Sequence, residues 1–250
     1  MKFARYEAHG QVAYGIVDGN SIQEITAAPW DDYERSNHSH TVDEVKILAP
    51  CTPSIVFFMG GNYYDHLGDD GAPKIPQVYT KTPNSICGPG DTIILPKEAE
   101  EVQEEAELVA IIGKPCRRVS EAQALDYVFG YTCGNDVSAR DWQRIDPTFW
   151  RAKASDTFSP IGPYIETDLD PNNVTIKARV NGKQVQDVST TTIVHNTAAC
   201  ISYISQWVTL GPGDVIYTGT GGTQPTLKSG DVVEIDIAEI GVLSNPVQVE

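Results

Sequence analysis

The sequence has no excess of positive charge. Its 18 Lys and Arg residues face 34 Asp and Glu residues, which gives a formal net charge of −16 and a pI of about 4.6. Nucleic acids and anionic membrane surfaces are polyanions and would repel such a chain. We therefore expect neither a nucleic-acid partner nor a membrane partner. The acidity itself has two open explanations, which are solubility and adaptation to a salty habitat.

Long hydrophobic runs and paired cysteines are also missing. No apolar stretch approaches the length of a transmembrane helix, and the first residues, MKFARYEAHGQ, contain no apolar signal segment. The cysteines are odd in number and scattered without a CxxC pair, at positions Cys51, Cys87, Cys116, Cys133 and Cys200. This spacing argues against a zinc-finger pattern and a disulfide framework. We expect a soluble, cytoplasmic protein.

The sequence does contain apolar material for a sizeable core, divided among many short segments. The 250 residues are 40% hydrophobic and 21% charged, which is typical of a globular protein. Short runs of alternating polarity outnumber helical patterns, and this predicts an α+β, mostly β fold. We divide the chain into a small N-terminal α/β domain, residues 1–48, and a main domain, residues 49–250.

The N-terminal domain begins with three predicted strands, KFARYE, VAYGIVDG and SIQEIT. A polar segment, residues 29–40, follows them and carries His38 and His40. Two interpretations of this histidine pair stay open, a metal-binding pair and a surface loop, and we favour the loop.

The main domain alternates further strands with a few helical patterns. Among the predicted strands are SIVFFM, VYTK and VFGYTC, and Asn181-Gly182 predicts a two-residue hairpin turn. A helix, VSARDWQR, is predicted directly after Gly134-Asn135-Asp136. An amphipathic helix is predicted from Thr197 to Leu210, with Trp207 on its apolar side.

The most informative stretch runs from Glu98 to Gly113, where a group of carboxylates leads into the apolar strand LVAII. Side chains alternate along a strand, so Glu105 and Glu107 point to the same face. Two carboxylates at the edge of an apolar strand repel each other and lose solvation. Protons, basic side chains or a bound cation must offset this, and a divalent metal with oxygen ligands is the most economical answer. A solvated acidic turn is the alternative interpretation.

A second segment with candidate catalytic residues, GGNYYDH, follows the predicted strand SIVFFM. His66 and Asp69 are three residues apart, a spacing that brings them onto one helical face. A carboxylate that orients an imidazole is the arrangement a general base requires. The alternative is a surface histidine beside a mobile loop, GDDGAP.

Two further positions also have a functional and a structural interpretation. Asp136 is either a helix cap or part of a site, and Arg140 and Gln143 would share its helical face. Lys153 lies in WRAKASDTF, where aromatic and small neighbours could desolvate its ammonium, although a surface lysine is an equal alternative.

Together these segments resemble the fumarylacetoacetate hydrolase family in its short prokaryotic-type form. The resemblance covers about residues 50–250 and is carried by ordered motifs, namely GGNYYDH, KTPNSICGPGDTIILP, EEAELVAIIGK, GYTCGNDVSARDWQ, RAKASDTFSPIGP and LGPGDVIYTGT. It implies a mixed β-sandwich or roll with a small N-terminal domain. It also implies a homodimer.

The resemblance also implies a set of site residues. The metal ligands would be Glu105, Glu107 and Asp136, an all-oxygen set suited to Mg²⁺, with Mn²⁺ as the alternative. The catalytic residues would be His66, Asp69 and Lys153, and the substrate-binding residues would be Arg140, Gln143 and Thr220. The sequence departs from the family pattern twice, because Asp69 stands where Glu is usual and Gly221 where Pro is usual.

The implied activity is metal-dependent cleavage of a C–C bond in a 2-oxo or 1,3-diketo acid of the acylpyruvate type, through an enolate. Decarboxylation or keto–enol isomerisation of oxaloacetate-like or hydroxydienoate acids is the alternative, since it uses the same enolate without an activated water. A non-catalytic protein that binds 2-oxo acids is the third hypothesis.

Overall fold

The computed structural model describes residues 1–67 and 71–250, apart from the side chain of residue 66. Within these described residues, strands and isolated β-bridges make up 43%, and α-helices together with 3-10 turns make up 15%. The prediction of an α+β, mostly β fold is therefore confirmed.

The N-terminal domain is built from short antiparallel strands and one 3-10 turn, Val42–Glu44. The strands are β1 (Lys2–Ala8), β2 (Gln11–Asp18), β3 (Ser21–Ile25), β4 (Arg35–Thr41) and β5 (Lys46–Ile47). The three predicted strands are confirmed, but the structure has no α-helix in residues 1–48, so the α/β description was wrong. Part of the predicted polar loop is β4, which carries His38 and His40. Backbone pairing with β3 forms this edge strand, so it needs no apolar pattern.

The main domain continues with strands that are mostly short. The first of them are β6 (Val56–Gly60), β7 (Gln77–Lys81), β8 (Ile86–Cys87), β9 (Ile93–Leu95), β10 (Val102–Gln103), β11 (Ala106–Ile112), β12 (Val128–Asn135) and β13 (Ser138–Ala139). The later ones are β14 (Ser159–Glu166), β15 (Thr175–Val180), β16 (Lys183–Ser189), β17 (Val215–Tyr217), β18 (Val232–Ile237) and β19 (Gly241–Val249). The helices are α1 (Glu121–Ala124), α2 (Arg140–Gln143), α3 (Trp150–Ala154) and α4 (Thr197–Ser205). Further 3-10 turns are Tyr64–His66, Pro83–Ser85, Leu125–Tyr127 and Thr190–Thr192.

One large sheet runs through both domains, in the order β4-β3-β2-β1-β14-β12-β11-β17-β6-β7. The junction is an antiparallel pairing of β1 with β14, in which Lys2 lies opposite Glu166 and Phe3 opposite Ile165. The N-terminal strands therefore extend the sheet of the main domain.

A second sheet, in the order β16-β15-β18-β19-β9, packs against the large sheet. The core between the two sheets contains Leu108 and Ala110 from β11 together with Ile176, Ile235 and Leu243 from the second sheet. The predicted hairpin β15–β16 is confirmed, and both turn residues, Asn181 and Gly182, have the positive φ angles that this turn requires. The two layers confirm the predicted sandwich.

Two predicted helices begin or end elsewhere. The helix expected after Asp136 starts only at Arg140, because Ser138 and Ala139 pair with β10. The helix expected to reach Leu210 ends at Ser205, because the chain turns to pair Leu210 with Cys116. Trp207 lies beyond that end and is 74% exposed, so its predicted place on an apolar face was wrong.

Within the ranges that the structure describes, no helix combines the length and the apolar character needed to cross a membrane.

Candidate metal and substrate site

The site is built around β11, whose two faces are both buried. Leu108 and Ala110 pack toward the second sheet, whereas Val109 and Ile111 join a core formed with the N-terminal strands. Glu107 shares the face of Val109, and Glu105 precedes the strand by one residue. Strand alternation thus brings the two carboxylates to one face, as predicted.

Asp136 completes the acidic group from the neighbouring strand, since it directly follows β12. One ligand oxygen each from Glu105, Glu107 and Asp136 lies within 4.8 Å of the other two. All three residues are buried, with exposures of 3%, 1% and 1%. Three carboxylate oxygens at this spacing fit a hard divalent cation such as Mg²⁺ or Mn²⁺. Asp136 does not cap helix α2, which begins four residues later.

Basic side chains surround the same carboxylates. Lys153 Nζ donates to Glu105 Oε2, and it donates to Asp136 Oδ2 at 2.6 Å. Lys81 Nζ donates to Asp136 Oδ1 and, at 2.7 Å, to the carbonyl oxygen of Phe158. Lys153 belongs to helix α3 and is only 3% exposed, so the alternative of a surface lysine is excluded.

Arg140 supplies the third cation. Its guanidinium donates to Glu105 Oε1, to Gln103 Oε1 at 2.9 Å and to Gln143 Oε1 at 2.8 Å. Arg140 and Gln143 are the first and last residues of helix α2, so they lie on one face of a single turn. They do not share that face with Asp136, contrary to the prediction.

The charges shift the pKa values of these groups in opposite directions. Burial raises the pKa of Glu105, but Lys153 and Arg140 outweigh it and lower this pKa to about 2. Burial lowers the pKa of Lys153, but Asp136 and Glu105 outweigh it and raise this pKa. Glu105 is therefore ionised and Lys153 protonated at neutral pH.

The surroundings of Glu107 and Lys81 disfavour the charged forms of both residues. Burial, followed by repulsion from Asp136 and Glu105, holds the pKa of Glu107 well above its usual value. Burial lowers the pKa of Lys81, although Asp136 opposes this effect. Lys81 differs from Lys153 because it contacts one carboxylate rather than two. A bound cation would relieve the repulsion at Glu107 most directly.

Glu104 lies on the opposite face of the chain from Glu105. It is fully buried, and neither of its carboxyl oxygens has a hydrogen-bond partner among the described residues. Burial, with a contribution from the Glu105 charge, raises the pKa of Glu104 to about 8. This carboxyl is therefore mostly protonated at neutral pH.

Two adjoining cavities lead to these residues. The inner cavity has a volume of about 200 Å³ and is lined by residues that include Glu105, Glu107, Arg140, Gln143, Lys153 and Thr220. Phe58, Tyr79 and Phe149 add aromatic surface to its wall. The outer cavity, about 450 Å³, shares Arg140 and Gln143 with the inner one and adds Arg144 and Glu101.

The segment Thr218–Gly221 runs alongside β11, the strand that carries Glu107. The Thr218 hydroxyl donates to the Leu108 carbonyl at 2.8 Å, and the Gly219 N–H donates to Glu107 Oε2 at 2.6 Å. Gly219 has a φ of +102°, and a Cβ there would lie 2.9 Å from the Cβ of Asn62, so only glycine fits. The segment therefore fixes one carboxylate and brings Thr220 to the inner cavity.

The predicted dyad of His66 and Asp69 lies outside the described residues, since neither side chain is described. The backbone around position 66 forms a 3-10 turn, Tyr64–His66. The neighbours of that position, Asp65 and Leu67, line the outer cavity. The backbone of residue 66 is thus close to the site.

Lys81 and Gln186 belong to the site but were not predicted from the sequence. Lys81 ends strand β7, and its side chain is fully buried, which only the packing reveals. Gln186 comes from β16 in the second sheet and donates to the hydroxyl of Thr220 at 2.6 Å. No sequence signal pointed to Gln186, since its alternate neighbours on the strand, Gln184 and Val188, do not form an apolar face that an amide would interrupt.

Two protein-family models match this chain and together span most of it. A family model described as "Fumarylacetoacetate (FAA) hydrolase C-terminal" matches residues 55–248. The chain belongs to the fumarylacetoacetate hydrolase family. A second model, described as "Rv2993c-like, N-terminal", matches residues 1–50. The family resemblance inferred from the motifs is thereby confirmed.

Relatives in this family are enzymes with different reactions. A mitochondrial oxaloacetate tautomerase from Xenopus laevis is 42% identical over 229 residues, which are 86% of this chain and 72% of the relative. The 2-hydroxyhepta-2,4-diene-1,7-dioate isomerase from Mycobacterium marinum is 38% identical, with a TM-score of 0.94 and coverage of 100% of this chain and 99% of that chain.

A hydrolase is also similar in structure. The maleylpyruvate hydrolase from Sphingobium sp. SYK-6, in complex with manganese(II) ion and pyruvate, is 29% identical, with a TM-score of 0.83. The alignment covers 100% of this chain and 99% of the hydrolase chain. The family thus contains isomerases, hydrolases and tautomerases of small organic acids, and divalent metal is present in one of them.

Proposed function

We propose that this chain is a divalent-metal-dependent enzyme that interconverts the keto and enol forms of a 2-oxo acid, with dicarboxylic acids such as oxaloacetate as the substrate class. The observation that carries the proposal is the buried group of Glu105, Glu107 and Asp136, with the Lys153 ammonium donating to two of its three members.

The charge balance of the site supports an anionic substrate. Three carboxylates, Glu105, Glu107 and Asp136, face three cations, Lys81, Lys153 and Arg140. When all six are ionised their charges cancel, so a bound divalent cation leaves two positive charges uncompensated. A dicarboxylate, or the enolate of a monocarboxylate, supplies two negative charges and restores neutrality.

A divalent cation held by these carboxylates would act as a Lewis acid toward the 2-oxo group. Lys153 holds its proton and adds positive charge where negative charge develops on the oxygen at C2. In enolisation one proton leaves C3 and one proton reaches the oxygen at C2, so no other atom is gained or lost. His66, oriented by Asp69, is our proposed acceptor of the C3 proton.

The two cavities agree with a dicarboxylic substrate. The inner cavity of about 200 Å³ suits the 2-oxo carboxylate end of the molecule. Arg140 and Gln143 line both cavities, and Arg144 lines the outer one. A distal carboxylate would therefore meet guanidinium groups as it extends outward.

The relatives also favour isomerisation over hydrolysis. The tautomerase and the isomerase are 42% and 38% identical to this chain, whereas the hydrolase is 29% identical. Isomerisation also requires fewer catalytic groups than hydrolysis does, because no water molecule has to be activated.

The test is an assay of keto–enol exchange of oxaloacetate, followed by the ultraviolet absorbance of the enol, with Mg²⁺ and with EDTA. Pyruvate release is measured in the same samples. We expect Mg²⁺-dependent exchange without pyruvate release, and loss of exchange in Glu105→Gln and Lys153→Met. Pyruvate release would instead indicate a decarboxylase. Binding of Mg²⁺ and oxaloacetate without exchange or release would indicate a non-catalytic binding protein.

Hydrolysis of a C–C bond in an acylpyruvate is our second candidate. It is favoured by the location of residue 66, whose neighbours Asp65 and Leu67 line the outer cavity. A base there would activate water for attack on the distal carbonyl, and hydrolysis of acetylpyruvate would give acetate and pyruvate. Mg²⁺-dependent pyruvate release from acetylpyruvate that is lost in His66→Ala would establish this reaction.

A further inference from the structure

We propose that Gln186 is a positioning residue for the site. It holds Thr220 and Gly221 against the strand that carries the metal ligands, and so fixes the side of the inner cavity that receives the substrate. We call the hydrogen bonds from Gln186 to Thr220, Gly221 and Ala106 the clamp. The clamp is independent of the reaction, while its effect on ligand binding rests on the proposed function.

The location of Gln186 is unusual for an amide. It lies on β16, an edge strand of the second sheet, where Gln186 and Val188 are buried while Asp187 between them is exposed. An amide that is 5% exposed at such a position destabilises the fold unless its polar atoms have partners. A residue chosen only for packing would be apolar here.

All the polar atoms of this amide reach the site. Gln186 Nε2 donates to Thr220 Oγ1 at 2.6 Å and to the Gly221 carbonyl at 2.9 Å. Gln186 Oε1 accepts from the N–H of Ala106 at 3.3 Å, between Glu105 and Glu107 in the chain. One side chain from the second sheet thus connects the Thr218–Gly221 segment to the metal-ligand strand of the first.

These bonds fix the hydroxyl of Thr220. The hydroxyl donates its hydrogen to the Ala106 carbonyl at 3.0 Å and accepts from Gln186 Nε2. A hydroxyl has one hydrogen and two lone pairs, so only one lone pair is left over. Thr220 therefore cannot donate from its hydroxyl to a substrate unless these bonds change, and its position depends on Gln186.

The clamp is needed because the segment is rich in glycine. Gly219, Gly221 and Gly222 add backbone freedom that a proline at position 221 would remove. Losing the amide should therefore loosen Thr220 and weaken binding of a 2-oxo acid. Metal binding should change less, because the metal ligands come from β11, its preceding residue and the end of β12.

The experiment compares Gln186→Leu with Asn245→Leu, a matched control. Asn245 is also a buried strand amide, 1% exposed, and donates at 2.8 Å to the carbonyls of Gly88 and Asp91, away from both cavities. Hydrogen–deuterium exchange of residues 218–222 is measured in each protein. Pyruvate binding to the Mg²⁺-loaded protein and Mg²⁺ binding are measured by calorimetry.

We expect Gln186→Leu to accelerate exchange in this segment and to weaken pyruvate binding, each about tenfold, with Mg²⁺ affinity changed by less than about threefold. Asn245→Leu should lower the melting temperature without either local effect. If Gln186→Leu does not fold, Gln186→Glu replaces it, because it keeps the shape and the acceptor but loses both donors.

Equal exchange of residues 218–222 in the two variants would overturn the clamp. Faster exchange with unchanged pyruvate affinity would show that Gln186 holds the segment but does not position the cavity wall that receives the substrate. Absence of pyruvate binding in the wild-type protein would reject the proposed function instead, and the exchange data would still decide whether Gln186 holds the segment.

Discussion

Lys81 and Lys153 hold opposite oxygens of one buried carboxylate. Lys81 Nζ donates to Asp136 Oδ1, and Lys153 Nζ donates to Asp136 Oδ2 at 2.6 Å. The two lysines come from strand β7 and helix α3, so the carboxylate connects two distant parts of the chain. Lys153 also contacts Glu105, whereas Lys81 contacts only Asp136 among the three carboxylates. Lys153 therefore bridges two carboxylates, whereas Lys81 pairs with one.

Lys81→Met should destabilise the metal-free protein and increase its response to Mg²⁺. Removing one partner of a buried ion pair costs about 3–5 kcal/mol, because the other charge stays buried. A divalent cation can replace the missing positive charge at Asp136, so Mg²⁺ should raise the melting temperature more in the variant than in the wild type. Melting temperatures in EDTA and in saturating Mg²⁺ provide the measurement.

The control for this prediction is Lys46→Met. Lys46 is 59% exposed and pairs with Asp91 at 3.1 Å, away from the carboxylates of the site. Its melting temperatures should match those of the wild type in both conditions. An equal Mg²⁺ response in Lys81→Met and wild type would show that Lys81 does not balance the charge of Asp136.

In the enolisation of oxaloacetate that we propose, Lys153→Met should lower kcat by about 10²–10³-fold, since it would remove a preorganised charge beside the developing enolate oxygen. Lys153→Arg should recover part of this loss, because the charge is kept but the guanidinium does not fit the space of an ammonium. Lys114→Met is the control, since Lys114 Nζ lies over the ring of Tyr127, outside both cavities. Wild-type kcat in Lys153→Met would exclude an electrostatic role for Lys153.

Mg²⁺ affinity should rise with pH because the ion must displace a proton from Glu107. Burial and the charges of Asp136 and Glu105 raise the pKa of Glu107, so its protonated form competes with the ion. The dissociation constant should fall by about tenfold per pH unit until Glu107 ionises. Calorimetry in two buffers of different ionisation enthalpy should detect about one proton released per ion.

Glu107→Gln serves as the comparison for this dependence. It should bind Mg²⁺ weakly and without this proton release, since the titrating ligand is gone. A wild-type dissociation constant that does not change with pH would show that Glu107 is already ionised in the metal-free site.

Glu104→Gln should stabilise the protein in alkaline solution. The pKa of Glu104 is about 8 in the folded state and 4.5 in its ordinary state, so the folded protein binds this proton more tightly. Stability from this group is complete below the lower value and is lost as pH rises toward the upper value, at up to about 1.4 kcal/mol per pH unit.

The measurement for Glu104 is urea unfolding across this pH range, in EDTA so that metal binding does not contribute. The wild type should lose stability between the two pKa values, and Glu104→Gln should lose less. Glu98→Gln is the control, because Glu98 is exposed and should leave the pH profile unchanged. Parallel profiles for wild type and Glu104→Gln would mean that Glu104 ionises normally.

Local sequence patterns were sufficient for most of the fold. The period-two alternation of β1, β2 and β3, and the turn pair Asn181-Gly182, depend on residues close in the chain. They were predicted correctly for that reason. Strand β4 was missed because backbone pairing at a sheet edge requires no apolar pattern.

Helix ends were less predictable. The segment after Asp136 has a helical composition, but pairing of Ser138 with Gln103 keeps its first residues extended. Helix α4 stops at Ser205 because the chain must bring Leu210 to Cys116. In both cases a contact with a distant residue decided the outcome, and no local pattern contains that information.

The repulsion between Glu105 and Glu107 follows from local sequence alone, because strand alternation places both side chains on one face wherever the strand packs. The sequence also indicated that protons, basic side chains or a cation must offset that repulsion. How protons and basic side chains are distributed among the carboxylates depends on contacts between distant elements. Glu104 is mostly protonated, Glu105 has Lys153 and Arg140, and Glu107 is left without a basic partner among the described residues. The physical reason is that each partner comes from a separate element, and only packing sets the distances between charges and the dielectric around them.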